Sequence, residues 1–347
     1  MILRGTDFGP VCGASGVQGF WGEGYPIHRV LRILFPGRFS FQGMTLTAKT
    51  VTLYRNLGNM PLKGDGTTPK ERIPRCVVVN FRKGYMLNSV GLSNFGARFY
   101  LDSDHWQEHD GPVILSFMCL GKTRQERVSE IEDFVSLLLM YIRYSKFQGK
   151  VALQINFSCP NVGHELDELV KEVEEMLCIA SALGIPLIPK FNILLDPERA
   201  AEIARHRFCD AICVSNTIPW GHLPEFIDWK GLFGSTASPL EARGFLKGGL
   251  SGAPITDIVR RWVSSYSVLN AGKPLCAGGG IMTPADAVNL MEFPCVKQIF
   301  VGSVASLRPW RLQPIIRTAH ERLRPRPSIT FANTEKQRLE RKLRNEK

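Results

Sequence analysis

Residues 151–161 read VALQINFSCPN, and this stretch decides the fold class. Val151–Phe157 is a short, mostly apolar run, which predicts a buried strand, and polar residues follow it directly. Similar runs along the chain predict further buried strands of the same kind. They are Pro112–Leu120, Pro186–Phe191, Ala211–Val214, Pro274–Ala277 and Gln298–Val301.

Helical patterns separate these strands. Apolar residues recur at helical spacing around 126–145, 165–183, 197–206, 254–269, 284–292 and 309–322. Asp196-Pro197 and Thr283-Pro284 each supply an N-cap residue followed by proline at the first helical position. Repeated strand and helix units predict a parallel sheet.

An open doubly wound sheet and a closed barrel both satisfy this alternation. The chain of 347 residues shows no boundary between two α/β halves, and two more strands are plausible around Met44–Thr52 and Val77–Phe81. The count then approaches the eight strands of a TIM barrel. We therefore predict a single (β/α)8 TIM barrel over residues 1–323 and a basic tail over residues 324–347.

Composition excludes several classes of protein. Apolar residues make up 44% of the chain, which is ample for a large core and excludes a disordered protein. The nine cysteines are odd in number and scattered, which suits a reducing compartment better than a disulfide framework. No apolar run is long enough for a membrane span, and the N-terminus does not resemble a signal peptide. We expect a cytoplasmic protein.

The positive charge is concentrated at the C-terminus. The formal charge is +11, and residues 322–347 carry nine cations and three anions, a net +6. Pro325 and Pro327 indicate a linker at the start of this segment. Solvated tails of this kind are common, so nucleic acid is a candidate partner only through the tail.

Unusual polar residues follow the predicted strands. The strand ends of a barrel converge on one face, so we expect these residues to form one site. They are Asn156 to Asn161, Lys190, Ser215, Asn216, Thr217, Gly278 to Gly280, Gly302 and Ser303. The glycines lie after the last two predicted strands and before the helices that follow them. Unpaired backbone N–H groups at such positions bind phosphate. A glycine run alone is more often a plain turn. The position of these glycines predicts a phosphorylated cofactor.

Three residue types at these strand ends suit particular chemistry. The Lys190 ammonium can stabilise a reduced, anionic cofactor ring, although a lysine ending a strand is more often a solvated rim residue. The asparagines offer paired donors and acceptors that fit a cyclic amide or imide, although asparagine also forms loops. Cys159 lies between polar residues and is the candidate base, whereas the other cysteines are expected to be inert packing. No spacing of histidine and cysteine resembles a zinc site.

The motif NFSCPN at 156–161 resembles the active-site loop of the dihydroorotate dehydrogenase family, which are flavin mononucleotide (FMN) enzymes on a TIM barrel. The resemblance covers most of the chain in order. The matching motifs are ASG at 14–16, AKTVT at 48–52, GN at 58–59, NSVGLSN at 88–94, NFSCPN, PKF at 189–191, SNT at 215–217, GGLSGAP at 248–254, GGGI at 278–281 and VGS at 301–303.

This resemblance implies a role for each matching residue. FMN would be held by Ala14, Ser15, Gly16, Lys49, Thr50, Asn156, Lys190, Ser215, Ser251, Gly252, Gly279, Gly280, Gly302 and Ser303. The dihydroorotate ring and its carboxylate would be held by Lys49, Asn88, Val90, Gly91, Leu92, Asn156, Asn161, Asn216 and Thr217. Catalysis would fall to Cys159 and Lys190, with Cys159 removing the C5 proton while the C6 hydride moves to flavin N5.

Two departures from the family pattern concern the substrate end of the site. The segment between Asn59 and Arg75 is longer than in the family, and the loop VGHELDE after Asn161 is short for a lid. The resemblance implies a small-molecule substrate, dihydroorotate or a related dihydropyrimidine, and we expect a homodimer. The resemblance leaves the electron acceptor open, and the candidates are fumarate, NAD through a partner subunit, and a quinone.

Two rival functions remain open at this point. One is a flavin enzyme that reduces uridine in RNA, similar to the tRNA-dihydrouridine synthases, which share the barrel and an NxxCP-like loop. Ser158 in place of glycine and the full set of four asparagines argue against it. The other is a barrel without catalysis that binds nucleic acid through its tail, against which Cys159 and Lys190 count.

Overall fold

The computed structural model describes residues 1–144, 147, 149–157 and 166–323. The strands are β1 (Ile2–Leu3), β2 (Thr6–Asp7), β3 (Val11–Gly13), β4 (Leu46–Thr47), β5 (Val77–Asn80), β6 (Tyr85–Asn88), β7 (Val113–Phe117), β8 (Val151–Asn156), β9 (Leu187–Phe191), β10 (Ile212–Val214), β11 (Ile218–Pro219), β12 (Gly249–Gly252), β13 (Leu275–Gly278) and β14 (Val296–Val301). The helices are α1 (Pro26–Leu34), α2 (Ala97–Leu101), α3 (Arg124–Tyr144), α4 (Leu166–Ala180), α5 (Pro197–Ala204), α6 (Trp229–Phe233), α7 (Thr256–Val268), α8 (Pro284–Met291), α9 (Val304–Leu307) and α10 (Leu312–Leu323).

Eight parallel strands form the barrel. Their order around the sheet is β3, β14, β13, β10, β9, β8, β7 and β4. A parallel bridge between Cys12 and Thr45 joins the two end strands, with the Gly13 amide 3.2 Å from the Thr45 carbonyl oxygen. The prediction of a (β/α)8 barrel is therefore confirmed.

The interior strands are buried on both faces, as the apolar runs predict. Every residue of β7, β8 and β9 is buried, and flanking helices cover the outer face of the sheet. The short hairpin of β1 and β2 brings Leu3 and Phe8 against Ile114, Ala152 and Ile188, near the amino-terminal ends of the strands. That end of the barrel is filled by side chains.

One predicted barrel strand is wrong. Residues around Val77–Phe81 form β5, which pairs antiparallel with β6 in a separate sheet of β11, β12, β6 and β5. Gly84 adopts a φ of +71° in the connecting turn, where its amide donates to the Asn80 carbonyl at 2.8 Å, so the chain reverses at once and no helix intervenes. The missing barrel strand is β3, where the apolar run consists only of Val11 and Cys12 between Pro10 and Gly13.

The separate antiparallel sheet helps to position the functional residues. Asn88 at the end of β6 pairs with Gly249 of β12, and Ser251 pairs with Met86. Strands β5 and β6 come from the connection between β4 and β7, and strands β11 and β12 come from the connection between β10 and β13. Both connections start at the carboxyl-terminal end of a barrel strand, so the sheet lies over that end of the barrel. It brings the motifs at 88–94 and 248–254 to the face where the barrel strands end.

The helices agree with the predicted patterns, including both predicted caps. The Asp196 carboxylate accepts a hydrogen bond from the Arg199 amide at 2.8 Å, and the Thr283 hydroxyl accepts one from the Asp286 amide at 3.2 Å. None of the helices in the described ranges combines the length and the apolar character needed to cross a bilayer. The boundary predicted at residue 324 lies at the edge of the described residues, so a separate tail stays a prediction.

The cap of α8 yields a test of the fold. In Thr283→Ala the hydroxyl that accepts the Asp286 amide is lost, so we expect the free energy of unfolding to fall by about 1 kcal/mol. Urea denaturation followed by circular dichroism measures this change. Thr236→Ala, at an exposed position, is the control and should have no effect. Equal stability of both variants would contradict the capping role.

Candidate active site

A single large cavity opens at the carboxyl-terminal end of the barrel. Its volume is about 1200 Å³. It is lined by residues that follow seven barrel strands, among them Ala14, Thr50, Met118, Asn216 and Gly279, and by Asn156 at the end of the eighth strand, β8. The convergence of strand ends expected for a barrel is therefore what creates it.

The cavity gathers nearly all predicted site residues. The predicted residues that line it are Ala14, Ser15, Gly16, Lys49, Thr50, Asn88, Val90, Gly91, Leu92, Asn156, Lys190, Ser215, Asn216, Thr217, Ser251, Gly279, Gly280, Gly302 and Ser303. Gly252 does not line it. A Cβ at Gly252 would lie 2.2 Å from the Gly84 carbonyl oxygen, so this glycine is explained by the pairing of β12 with β6. Cys159 and Asn161 lie outside the described residues.

A chain of hydroxyl groups fixes the loops after β3 and β4. The Ser15 hydroxyl donates to the Ala48 carbonyl at 2.9 Å and accepts from the Thr50 amide at 2.8 Å. The Thr50 hydroxyl lies 2.7 Å from that of Ser15 and 2.8 Å from that of Ser116 on β7. Three neighbouring strand ends are thereby held in register at the cavity floor.

Lys49 is a buried ammonium at the cavity. Its side chain is 6% exposed, donates to the Ser93 carbonyl at 2.7 Å and lies 5.2 Å from the centre of the Phe20 ring. Burial lowers the pKa of Lys49 to about 8, because the charged form loses its hydration. No carboxylate among the described residues pairs with it.

Lys190 is a second buried cation, at the end of β9. It is 5% exposed, and its ammonium lies 5.0 Å from the centre of the Phe300 ring. It too has no ion pair within the described ranges. A lysine at the end of a strand often lies at the solvated rim of a site, but the Lys190 side chain is enclosed. Two such cations favour an anionic ligand.

The asparagines form an amide cluster on one wall. The Asn216 amide group donates to the Asn156 side-chain oxygen at 2.7 Å, and Asn88 lies 3.5 Å from the Gly249 carbonyl oxygen. After this hydrogen bond, Asn156 keeps two N–H donors and one acceptor lone pair, and Asn216 keeps one N–H donor and two acceptor lone pairs. This arrangement suits a ring that carries both amide N–H and carbonyl groups.

Glycines shape the opposite wall. Gly279 and Gly280 adopt φ values of +129° and +76°, and a Cβ at Gly280 would lie 2.3 Å from the Thr256 hydroxyl. In the described part of the chain their amides donate no hydrogen bond outside the strand ladders. The start of α8 is already satisfied by the capping box of Thr283 and Asp286. The amides available to an anion are therefore those of the glycine turn rather than of the helix.

Some lining residues were not predicted. Asn192 is buried and donates to the Thr217 carbonyl at 2.5 Å, two residues beyond Lys190, a spacing that could have been noticed. Met118 and Leu120 follow β7. A further large part of the unpredicted wall comes from α1 and from residues 63–74, which line the cavity through tertiary contacts that no local pattern reveals.

Comparison with known proteins agrees with this geometry. Residues 38–294 match the family described as dihydroorotate dehydrogenase. The chain belongs to the dihydroorotate dehydrogenase family. It is accordingly a flavin-dependent oxidoreductase with a small-molecule substrate, which disfavours the barrel without catalysis.

Individual relatives are similar over most of their length. The catalytic subunit of dihydroorotate dehydrogenase B (NAD(+)) from Endomicrobium trichonymphae is 27% identical over 322 residues, covering 88% of this chain and 86% of the relative. The proteins of the same name from Thermodesulfovibrio yellowstonii and a Geobacillus species are 27% and 29% identical, over 79% and 75% of this chain and 87% and 77% of the relatives.

The buried Lys49 yields a prediction on pH dependence. The pKa of Lys49 is about 8 in the folded protein and 10.5 in an ordinary lysine. Between pH 8 and pH 10.5 the Lys49 side chain is therefore protonated in the unfolded chain and mostly neutral in the folded protein. Stability therefore rises with pH across this window in the wild type, and this contribution is absent from Lys49→Met. Urea denaturation from about pH 7 to about pH 9.5 should show a growing stability difference in favour of the wild type. Lys150→Met, at an exposed position, should run parallel to the wild type, and parallel curves for Lys49→Met would refute the assignment.

Proposed function

We propose that this chain oxidises L-dihydroorotate to orotate with bound FMN. The observation that supports this most is the pair of buried cations, Lys49 and Lys190, on a cavity that also carries the Asn156 and Asn216 amides. A flavin phosphate, a reduced flavin ring and a substrate carboxylate are anions, and the substrate ring is a cyclic imide. The residues on this cavity match each of these groups.

The FMN phosphate would lie against the glycine turn. Gly279, Gly280 and Gly302 offer backbone amides without bulk, and the hydroxyl of Ser303 donates to that of Ser251 at 2.8 Å beside them. The flavin ring would then extend across the barrel end toward Ser15, Thr50 and Lys190. When bound, the flavin supplies the acceptor for the hydride that leaves C6 of the substrate.

The substrate ring would lie between the flavin and the amide wall. Asn88, Asn156 and Asn216 would bind its N–H and carbonyl groups, together with Asn161 of the loop after β8. Its carboxylate would meet Lys49 and the loop Val90 to Leu92. Lys49 is held in place for this by its hydrogen bond to the Ser93 carbonyl.

Cys159 is proposed as the base. An ordinary thiol is only about 3% thiolate at pH 7, so its position on the ring face opposite the flavin matters more than its intrinsic acidity. Cys159 would take the proton from C5 as the hydride leaves C6, giving the double bond of orotate. Cys159 comes three residues after Asn156 in the sequence, and Asn156 pairs with Lys190 of β9.

The proposal is tested by anaerobic mixing of the purified protein with L-dihydroorotate, followed by flavin absorbance. We expect the oxidised flavin band to be lost with the wild type. In Cys159→Ala we expect flavin to be retained and its reduction to slow by roughly 10²-fold, the scale of a positioned base. Cys178→Ala, at an exposed cysteine on α4, should leave the rate unchanged.

Two results would contradict the proposal. A yellow protein whose flavin stays oxidised with L-dihydroorotate would overturn the substrate. Wild-type kinetics in Cys159→Ala would remove the cysteine from the mechanism. That the protein forms a homodimer, and that nucleic acid binds only through the tail, stay predictions.

A further inference from the structure

The segment from Met60 to Arg75 lines the cavity. It contributes three cationic side chains to the wall, Lys63, Lys70 and Arg72. These are additional to Lys49 and Lys190, which the proposed function already uses. The segment therefore adds positive charge to the cavity beyond what FMN and dihydroorotate account for.

The segment is an ordered turn. The Lys63 amide donates to the Thr68 carbonyl at 2.8 Å, and the Lys70 amide donates to the Pro61 carbonyl at 2.9 Å. Asp65 accepts from the Thr67 and Thr68 amides at 2.9 and 2.8 Å. The cations are therefore carried by a backbone whose shape is defined.

Contacts with the rest of the protein anchor this turn. The Tyr100 hydroxyl donates to the Gly66 carbonyl at 2.7 Å, and Gly66 packs so closely on Phe99 that a Cβ there would lie 2.3 Å from the ring. At the far end, Arg243 donates to the Arg75 carbonyl at 3.0 Å. The segment is thus tied to the buried Tyr100 near its middle and to the exposed Arg243 at its far end.

The turn lies at the end of the cavity proposed for the substrate. At its base the Asn59 amide donates to the Val90 carbonyl at 2.8 Å, and the Met60 amide donates to the Ser93 hydroxyl at 3.0 Å. Ser93 is also the residue whose carbonyl holds the Lys49 ammonium. The three cations are thus attached to the loop that would meet the substrate carboxylate, and not to the glycine turn proposed for the flavin phosphate.

These cations have no counterions of their own. None of Lys63, Lys70 and Arg72 forms an ion pair with another described residue. Glu71 is the one carboxylate on the described cavity wall, and it accepts the Arg75 amide at 2.9 Å. The mouth of the cavity is left with a net positive charge, which attracts anions.

The charge on this wall decides what kind of ligand it would take. Three cations without an ion pair among the described residues suit a dianion better than a single carboxylate. We propose that Lys63, Lys70 and Arg72 form a second anion site, which binds a phosphate group beside the pyrimidine ring. Only the position of that ring rests on the proposed function.

The phosphate has two chemical sources. It is either carried by the pyrimidine ligand itself, as in a nucleotide, or it belongs to a separate small anion bound next to the ring. Both sources use the same cations, and they differ in whether the affinity depends on a covalent link to the ring. Orotidine 5′-phosphate and inorganic phosphate are the two probes that separate them.

The test is calorimetric titration of the purified, flavin-loaded protein with orotate, with orotidine 5′-phosphate, and with inorganic phosphate in the presence of orotate. An exposed ion pair changes affinity by only about 1.4- to 5-fold, so we expect removal of all three cations to cost about tenfold or more. In the triple variant Lys63→Gln, Lys70→Gln, Arg72→Gln, the affinity for the nucleotide or for inorganic phosphate should fall by this factor. The affinity for orotate should change by less than about threefold.

A charge-matched control separates a local site from the loss of net charge. Arg82, Lys150 and Lys297 are exposed cations away from the cavity wall, and their replacement by glutamine should leave all three affinities unchanged. Loss of nucleotide affinity in the cavity variant assigns the phosphate to the ligand, and loss of inorganic phosphate affinity assigns it to a separate anion. Equal affinities of both probes for the wild type and the cavity variant would overturn the anion site.

Failure of the proposed function gives a different result. If the protein binds no orotate and is not reduced by dihydroorotate, the substrate assignment fails. Binding of inorganic phosphate to the wild type, and its loss in the cavity variant, would still support the anion site. The two proposals are therefore judged by separate measurements.

Discussion

The arrangement depends on two ammonium groups that are held out of water and have no carboxylate partner among the residues that the structure describes. Lys49 and Lys190 are 6% and 5% exposed, and each faces an aromatic ring instead of an acid. Burying an unpaired charge is costly, and a cation–π contact offsets only about 0.5–2 kcal/mol of that cost. The barrel tolerates both lysines at one cavity because an anionic ligand there would complete their surroundings. Flavin and substrate are the anions that the dihydroorotate dehydrogenase family brings to such a cavity.

The barrel makes this concentration of charge feasible. Parallel strands place Lys190 on β9 beside Asn156 on β8, and the hydroxyls of Ser15, Thr50 and Ser116 join the loops of three further strands. The added antiparallel sheet brings Asn88 and Ser251 over the same end. The amino-terminal half of the barrel is packed with apolar side chains, so the stability of the fold and the chemistry of the site are located at opposite ends.

Much of this could be predicted from the sequence, because the barrel strands are apolar runs and the functional residues follow them directly. Prediction failed where local pattern and tertiary role diverge. In β3 the apolar run is limited to Val11 and Cys12 between Pro10 and Gly13, which gives too little signal. The Val77 to Phe81 run has good strand character but turns back at Gly84 into an antiparallel pair. The cationic turn from Met60 to Arg75 reads as a polar insertion, and only its anchoring by Tyr100 and Ser93 reveals that it lines the cavity.

We propose that one cavity binds the flavin phosphate at the glycine turn and the pyrimidine at the amide wall, with Lys49 and Lys190 serving both ligands. A crystal structure of the purified protein with orotate tests this most directly. We predict density for the flavin phosphate against the amides of Gly279 and Gly280, and orotate in contact with Asn88, Asn156 and Asn216. A flavin or an orotate molecule bound elsewhere, with both lysines still unpaired, would contradict it.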